Sequence, residues 1–292
     1  TNKDNFELSN NSKIIVNQDG VDTPTPLVDI INFNDNILEY AKYLQVGMKA
    51  DDKSSVFNGS ASGGAINPKI TLGDATIGLA AFNESKATNY GTVKITAQNG
   101  TIGMVAGGSS TANNVGEINM TFKGAKDSDS VIGMYADTYS QLINSGTILG
   151  NTVADSGATE GPKGSMIGME TRLLGERTSA DKSTTTATNR GNITLSATAN
   201  NVASSANLVG MGSYIDKSFL DGSNLLSRAG YMELNNESGI NLTYNITGSG
   251  TYTPTNTLKD GTGGIIGMRA DANTTATNNG TIGIKVSDGV ND

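Results

Sequence analysis

Apolar residues recur along the chain in a five-residue unit: Ile or Val, then Gly, then usually Met, with a small residue two places after the Met. The fourth position takes Lys, Ala, Val, Tyr, Glu, Gly and Arg in turn. Apolar residues at positions one, three and five predict a β-strand with one buried face. The copies of the unit lie at 46–50, 77–81, 102–106, 132–136, 167–171, 209–213 and 266–270.

A second unit, Asn-x-Gly followed by alternating apolar residues, lies between copies of the first. Asn tolerates a left-handed backbone and Gly adopts it without cost, so this unit predicts a turn that leads into a strand. The segment 236–240 is interpreted as the same unit with one extra residue, a bulge. The regular copies occupy 89–95, 114–120, 144–148, 189–195 and 278–284.

The spacing of the two units predicts the fold. The step from the Gly of the first unit to the Asn of the second is 11 residues in five copies, while the return step varies from 14 to 31. One fixed half and one variable half are typical of stacked coils with loops at particular corners. The shortest period, from Gly78 to Gly103, is 25 residues and allows three short strands. We therefore expect an all-β chain, a right-handed parallel β-helix spanning 1–292 as a single segment.

Stacking would place like residues on each other, with Ile on Ile, Met on Met, and the Asn side chains in a hydrogen-bonded ladder. Nine to eleven coils at about 4.8 Å each predict a rod of roughly 45–50 Å. These repeated residues are interpreted as structural. The segment 21–45 lacks the strand pattern and is interpreted as an irregular insertion. Its apolar positions from Ile37 to Leu44 predict a short helix that packs on the rod or binds a partner.

Two insertions lengthen the fixed step, at 172–186 and 214–229. Since both interrupt the same arc of successive coils, we expect them to project near each other, as candidate partner-binding loops on a rigid scaffold. The alternative is that they fold back on the rod. The candidate binding residues are Arg172, Leu174, Arg177, Tyr214, Phe219, Leu225 and Arg228.

Composition narrows the chemistry. The chain has no His and no Cys, which excludes a Ser-His-Asp triad, thiol nucleophiles and most zinc sites. A net charge of −8 without a basic cluster argues against nucleic acid and anionic membranes as partners. The sequence contains no run of 18 apolar residues, so it predicts no membrane-spanning helix. We expect no enzyme activity, catalytic residue, cofactor or metal.

Two acidic pairs and three tyrosines are the remaining candidate sites. The pairs Asp51-Asp52 and Asp127/Asp129 are interpreted as solvated turn residues, with a calcium half-site as the alternative for the second. Sugar binding needs aromatic platforms, and the outward candidates are Tyr90, Tyr135 and Tyr139.

The units Ile-Gly-Met-Tyr-Ala at 132–136 and Asn-Ser-Gly-Thr-Ile at 144–148, with their copies, resemble the passenger domains of Gram-negative type V autotransporters. In particular they are similar to the long, repeat-rich outer-membrane adhesins of fusobacteria. The resemblance covers 46–292 clearly and 1–45 loosely. It implies export and display at the cell surface by a C-terminal β-barrel that this segment lacks. No family binding residue can be carried over, because the matching positions form the core.

The resemblance implies a non-enzymatic adhesin stalk that attaches to a host-cell surface protein or glycan, or to partner bacteria. A vacuolating or pore-forming toxin passenger is the alternative, favoured by an apolar exposed patch at 214–229 or 27–44. A polysaccharide-degrading enzyme is the third, and it needs carboxylates that converge in a groove. Open strand edges at both ends of the stack predict end-to-end self-association of the chain.

Overall fold

A computed structural model of the chain describes residues 5–10, 13–18, 21–26, 44–61, 68–137, 139–154, 159–173, 184–215, 230–253 and 264–288. Throughout these ranges the regular structure is β-strand, and no helix occurs in them. Most strands belong to three long parallel sheets, in which each strand pairs with the corresponding strand of the next coil. The prediction of an all-β parallel β-helix is confirmed.

The strands are grouped as follows. Sheet 1 contains β1 (Phe6–Leu8), β6 (Lys69–Leu72), β9 (Thr92–Ala97), β12 (Glu117–Phe122), β15 (Thr147–Thr152), β18 (Asn192–Asn200), β22 (Gly239–Thr247) and β26 (Thr281–Asp288). Sheet 2 contains β4 (Gln45–Ala50), β7 (Thr76–Phe82), β10 (Thr101–Gly107), β13 (Ser130–Asp137), β16 (Ser165–Leu173), β20 (Asn207–Ile215) and β24 (Ile265–Arg269). Sheet 3 contains β5 (Ser55–Asn58), β8 (Lys86–Asn89), β11 (Thr111–Asn114), β14 (Gln141–Asn144), β17 (Thr184–Asn189), β21 (Tyr231–Asn236) and β25 (Thr274–Asn278).

Two small sheets complete the structure: the antiparallel pair β2 (Lys13–Gln18) with β3 (Val21–Pro26), and the parallel pair β19 (Ala203–Ser204) with β23 (Thr251–Tyr252). Strand β3 corrects the sequence interpretation of 21–45, because residues 21–26 are extended rather than irregular. Its two prolines are compatible with this pairing, since each strand of a two-stranded sheet is an edge. The predicted helix lies outside the described residues, except for Leu44.

The register follows the repeat. In sheet 2, Ile102 pairs with Ile132, Met104 with Met134 and Ala106 with Ala136, so the predicted ladders of like residues are present. Sheet 1 contains eight strands, which corresponds to a stack of about 34 Å at the usual strand spacing. The described coils are therefore fewer than the nine to eleven that the spacing predicted.

Sheet 2 is buried on both faces, which the repeat did not predict. The Met and small residues of its units join sheets 1 and 3 in the main core, as Met104 and Ala106 do. The Ile of each unit lies in a second apolar cluster with residues of the variable fourth position, such as Val105 and Tyr135. The alternation of side chains between the two faces of the strand is interrupted between the Gly and the Met of each unit. The side chains at positions one and four of the unit therefore lie on the same face. Variation at position four therefore does not indicate exposure to solvent, because Ala80, Val105, Tyr135 and Glu170 are all buried there.

The predicted amide ladder runs through sheet 3. Each Asn donates a hydrogen bond from Nδ2 to Oδ1 of the Asn in the next coil, over 2.7–2.8 Å. The ladder joins Asn58, Asn89, Asn114, Asn144, Asn189, Asn236 and Asn278. All but the last are fully buried, so their polar groups depend on one another for satisfaction.

Replacing Asn114 by Ala should lower the free energy of unfolding by about 2 kcal/mol. The change removes the Asn89–Asn114 and Asn114–Asn144 hydrogen bonds and leaves the buried Oδ1 of Asn144 without its donor. Urea denaturation followed by circular dichroism measures the loss. Asn113→Thr is the control, because Thr occupies the equivalent positions 88 and 188. An Asn114 variant as stable as this control would mean that the ladder adds nothing to stability.

The glycine of the Asn-x-Gly turn is required by contact between coils, and the predicted left-handed turn is wrong. Neither the Asn nor the Gly of these turns has a positive φ. A Cβ on Gly146 would overlap the carbonyl oxygen of Gly116, and one on Gly191 would overlap that of Gly146. At this close approach of the two coils, the N–H groups of Ser145 and Gly146 both donate hydrogen bonds to the carbonyl of Asn114, over 2.7 and 3.0 Å. Gly is therefore present because another backbone approaches closely.

The predicted bulge at 236–240 is also wrong. Asn189 pairs with Asn236 and Ile193 with Ile240, so the segment has the regular length and Ser238 takes the place of Gly. At this turn the N–H of Glu237 alone donates to the carbonyl of Asn189. One inter-coil hydrogen bond is lost where a side chain replaces the glycine.

Candidate functional site

The candidate site lies at the corner between sheets 2 and 3, where both insertions interrupt the coil. One insertion follows β16 and precedes β17, and the other follows β20 and precedes β21, so the predicted common arc is confirmed. Gln141 pairs with Thr186 and Thr184 pairs with Tyr231, which aligns both coils with the uninterrupted corner after β13. The inserted residues are therefore 174–183 and 216–230. These ten and fifteen residues account for the steps of 21 and 26 where other copies have 11.

In the uninterrupted coils this corner has a strained backbone. Lys53, Glu84, Ser109 and Tyr139 occupy equivalent positions and have φ values of 60–63°. Left-handed backbone is unfavourable for these residue types and persists only where surrounding structure holds it. The next residue supplies that support: the N–H of Ser85 donates to Oγ of Ser110, and that of Ser110 to Oγ of Ser140, over 3.0 and 3.1 Å. The corner thus directs one side chain per coil outward, in a line that we call the corner column.

A groove of about 420 Å³ runs between the corner column and the outward side chains of sheet 3. One wall of the groove is formed by corner-column residues. The other is formed by residues of sheet 3, each of which lies two positions after the corner-column position of its own coil. The groove is lined by Glu84, Ser109, Tyr139, Gln141, Thr184, Thr186 and Glu233. From Glu84 to Glu233 it crosses five coils, which corresponds to about 19 Å along the rod.

The groove is polar and weakly acidic. The described residues of its lining include two carboxylates and no Lys or Arg. The carboxylate of Glu84 lies 3.9 Å from Nζ of Lys53, so its charge is partly balanced by an exposed neighbour. Tyr231 continues the corner column beside Glu233, and its side chain is 48% exposed. The groove therefore offers hydroxyl, amide and carboxylate groups beside tyrosine side chains.

Two of the predicted binding residues, Arg172 and Tyr214, lie in strands rather than in loops. Arg172 is in β16 and Tyr214 is in β20, where they pair in register. The guanidinium of Arg172 lies 5.8 Å from the centre of the Tyr214 ring, and that of Arg269 lies 4.5 Å from it. Arg172 is buried, so it packs against the rod, as the alternative to a partner-binding loop implies. The reason is that sheet 2 extends beyond the five-residue unit and its outer face is covered.

Arg172 is held by a residue that the sequence did not indicate. Its Nη2 and Nε donate to Oε1 of Glu170, over 2.9 and 3.2 Å, and both side chains are almost fully buried. Burial raises the pKa of the Glu170 carboxyl, and the charge of Arg172 opposes this effect. The pair, with the rings of Tyr135 and Tyr214 near it, is a structural ion pair on the outer face of sheet 2.

The other predicted binding residues, Leu174, Arg177, Phe219, Leu225 and Arg228, lie outside the described residues. Sequence reasoning missed Glu170 and all of the groove except Tyr139. The sequence pattern did not indicate Glu170, because this residue occupies the variable fourth position of a unit. A signal for the groove was present in the fixed 11-residue step, which places Glu84, Ser109 and Tyr139 six residues after the glycine of their units.

Both acidic pairs are engaged in the structure. Asp129 is buried, and its Oδ2 accepts hydrogen bonds from the N–H groups of Ala125 and Lys126, over 2.8 and 2.9 Å. Burial raises the pKa of this carboxyl, and these hydrogen bonds oppose the rise. Its interpretation as a solvated turn residue is wrong. Asp51 contacts Lys49 and accepts from Asn83, and the pKa of its exposed carboxyl is lowered by these hydrogen bonds.

The three tyrosines proposed as sugar platforms differ in position. Tyr135 is fully buried, so its predicted outward orientation is wrong. Tyr139 lines the groove, while Tyr90 is partly buried in an Asn-x-Gly turn elsewhere on the coil.

Within the described ranges, no three Asp or Glu side chains are grouped closely enough to hold a metal ion. Those ranges also contain no helix that is long and apolar enough to cross a membrane. Comparison with protein-family models, curated proteins and solved structures finds no match to the chain.

Proposed function

We propose that the chain is a non-enzymatic segment of a surface-displayed adhesin passenger, which attaches its cell to a host-cell surface protein or glycan or to partner bacteria. The observation that carries this proposal is the position of the two insertions and the groove at one corner of a rigid stack. Functional residues are commonly carried by such loops on a fixed scaffold. Cell-surface display itself rests on the resemblance to autotransporter passengers.

The structural role of the repeated residues supports the same proposal. The Ile, Met and Asn of each coil form core and ladders, while the chemically distinctive buried groups, Glu170 with Arg172 and Asp129, are hydrogen-bonded within the scaffold. A scaffold built from its repeats, with two insertions at one corner of successive coils, suits the display of a binding surface.

End-to-end self-association of the chain is a second part of the proposal. The last strand of sheet 1, β26, carries Ile282, Ile284 and Val286 with 37%, 50% and 54% of their surfaces exposed. Their counterparts in the preceding strand, Ile240, Leu242 and Tyr244, are fully buried. Apolar side chains on an open parallel edge favour pairing with another chain. Binding experiments therefore need the monomer isolated by gel filtration.

Removing the insertions should lower binding of the monomer to epithelial cells or to partner bacteria by at least about tenfold, as loss of the central contacts of an interface does. The deletions are 174–183 and 216–230, because these restore the regular corner and leave β16, β17, β20 and β21 intact. Flow cytometry with labelled protein measures binding, and far-ultraviolet circular dichroism checks the sheets.

The matched control deletes residues 254–263, between β23 and β24, which lie at the other variable arc of a coil. This deletion should leave binding unchanged. If the unaltered monomer binds no cell type, or if the corner deletions bind as well as the unaltered chain, the adhesive role of the insertions is refuted.

A further inference from the structure

We infer that the groove beside the corner column binds an uncharged oligosaccharide that lies along the rod. This inference goes beyond the proposed adhesive function, because it gives the chain a second binding site with a ligand class of its own. The described residues that line the groove come from the corner and from sheet 3, and none of them belongs to the inserted segments 174–183 and 216–230.

The shape of the groove suits an extended chain. It is open along its length, and equivalent positions of successive coils repeat every 4.8 Å or so. The ligand therefore meets a polar group at each of the five coils between Glu84 and Glu233. A linear oligosaccharide, with several hydroxyl groups on every unit, matches such a repeating line of hydrogen-bonding partners.

The chemistry of the lining suits hydroxyl groups. Ser109, Thr184 and Thr186 each supply a hydroxyl that both donates and accepts, and Gln141 supplies an amide that does the same. The carboxylates of Glu84 and Glu233 accept hydrogen bonds from two neighbouring hydroxyls at once, and charged acceptors form the stronger bonds.

Aromatic side chains complete the site. Tyr139 and Tyr231 both belong to the corner column, with Thr184 between them, so they lie two coils or about 10 Å apart. Both belong to the same side of the groove, and a tyrosine ring is a side chain that packs well against the apolar C–H face of a sugar ring. Tyr139 is fixed there by its strained backbone and by its N–H, which donates to Oγ1 of Thr185 over 2.9 Å.

The charges of the groove and of the chain favour an uncharged ligand over an acidic glycan or a cationic peptide. Two carboxylates and a net charge of −8 disfavour a sialylated or uronic-acid glycan. A cationic peptide is disfavoured because five of the seven described lining residues, Tyr139 among them, have uncharged hydrogen-bonding side chains. In addition, Lys53 already stands 3.9 Å from the carboxylate of Glu84. An uncharged oligosaccharide uses both kinds of group without opposing charge.

The test titrates the monomeric chain with four probes: lacto-N-tetraose, chitotetraose, disialyl-lacto-N-tetraose and tetralysine. Saturation-transfer NMR and calorimetry measure binding. We expect at least one neutral tetrasaccharide to bind, and the disialylated one to bind at least about tenfold more weakly. Preferential binding of tetralysine, or no binding of either neutral probe, would overturn the inference.

Two variants and one matched control locate the site. Tyr139→Asn removes the ring while keeping a residue that tolerates positive φ, and should weaken the neutral probe about tenfold or more. Tyr90→Asn is the matched control, since Asn occupies the equivalent turn position 279, and should change nothing. Glu233→Gln should weaken the neutral probe by no more than about threefold, because an amide still accepts a hydrogen bond. Equal effects of the two tyrosine changes would refute the groove as the site.

The outcomes separate this inference from the adhesive function. The corner deletions should lower cell binding at least about tenfold. They leave the named groove residues in place, so the tetrasaccharide should still bind. A chain that binds cells but no neutral sugar retains the adhesive function and loses this inference. A chain that binds neither loses both.

Discussion

Replacing Arg172 by Met should lower the free energy of unfolding by about 3 kcal/mol at neutral pH, because it leaves the buried carboxylate of Glu170 without its partner. Met fills much of the same space, so the loss reflects charge more than cavity formation. The loss should shrink as the pH falls. Burial already raises the pKa of Glu170, and removing Arg172 raises it further, so the folded variant binds a proton more readily than the unfolded chain.

The test is urea denaturation of the variant at several pH values between 7 and 4.5. Arg172→Met combined with Glu170→Gln is the control, and its stability relative to the unaltered chain should not show this pH dependence. A loss for the single variant that is equal at pH 7 and pH 4.5 would show that packing, and not the unpaired carboxylate, is responsible.

Replacing Gly146 by Ala should destabilise the rod by about 3 kcal/mol or more, the upper end of the cost of overpacking. The added Cβ overlaps the carbonyl of Gly116 and lies 2.6 Å from that of Val115, and neither backbone atom can move without breaking hydrogen bonds between coils. Thermal unfolding followed by circular dichroism measures the change.

Ser145→Ala provides the comparison, since Ser145 is exposed in the same turn and should change stability by less than about 0.5 kcal/mol. The native Ser238 shows how the coil adapts to a side chain at this position, by giving up one inter-coil hydrogen bond. If Gly146→Ala behaves like Ser145→Ala, the coils are more adaptable than this contact implies.

The architecture could be predicted from the sequence because the spacing of the repeated units determines which strands pair. The fixed step between Gly78 and Asn89, repeated in other coils, determines the register, and the Asn ladder follows from that register. The reason for the turn glycine was wrong, because the sequence does not show how closely the carbonyl of Gly116 approaches Gly146. Contacts between coils are long-range and leave no local signature.

The site was less predictable for the same physical reason. Glu170 and Arg172 are two residues apart on one strand, a spacing that is as common on exposed strands as on buried ones. Only the burial of the outer face of sheet 2 makes them an ion pair with a structural role. The groove depends on the strained backbone at Glu84, Ser109 and Tyr139, and these residue types give no sign of positive φ.

The hydrogen bonds between coils, including the Asn ladder, point along the axis of the rod. A force applied along this axis would therefore pull these bonds straight apart, one coil after another from the end, rather than shearing many at once. Releasing a coil of 25 residues, such as that from Gly78 to Gly103, frees roughly 80–90 Å of extended chain. If the chain is part of the proposed adhesin, it would lengthen stepwise under load, and this lengthening would limit the force that reaches the attachment.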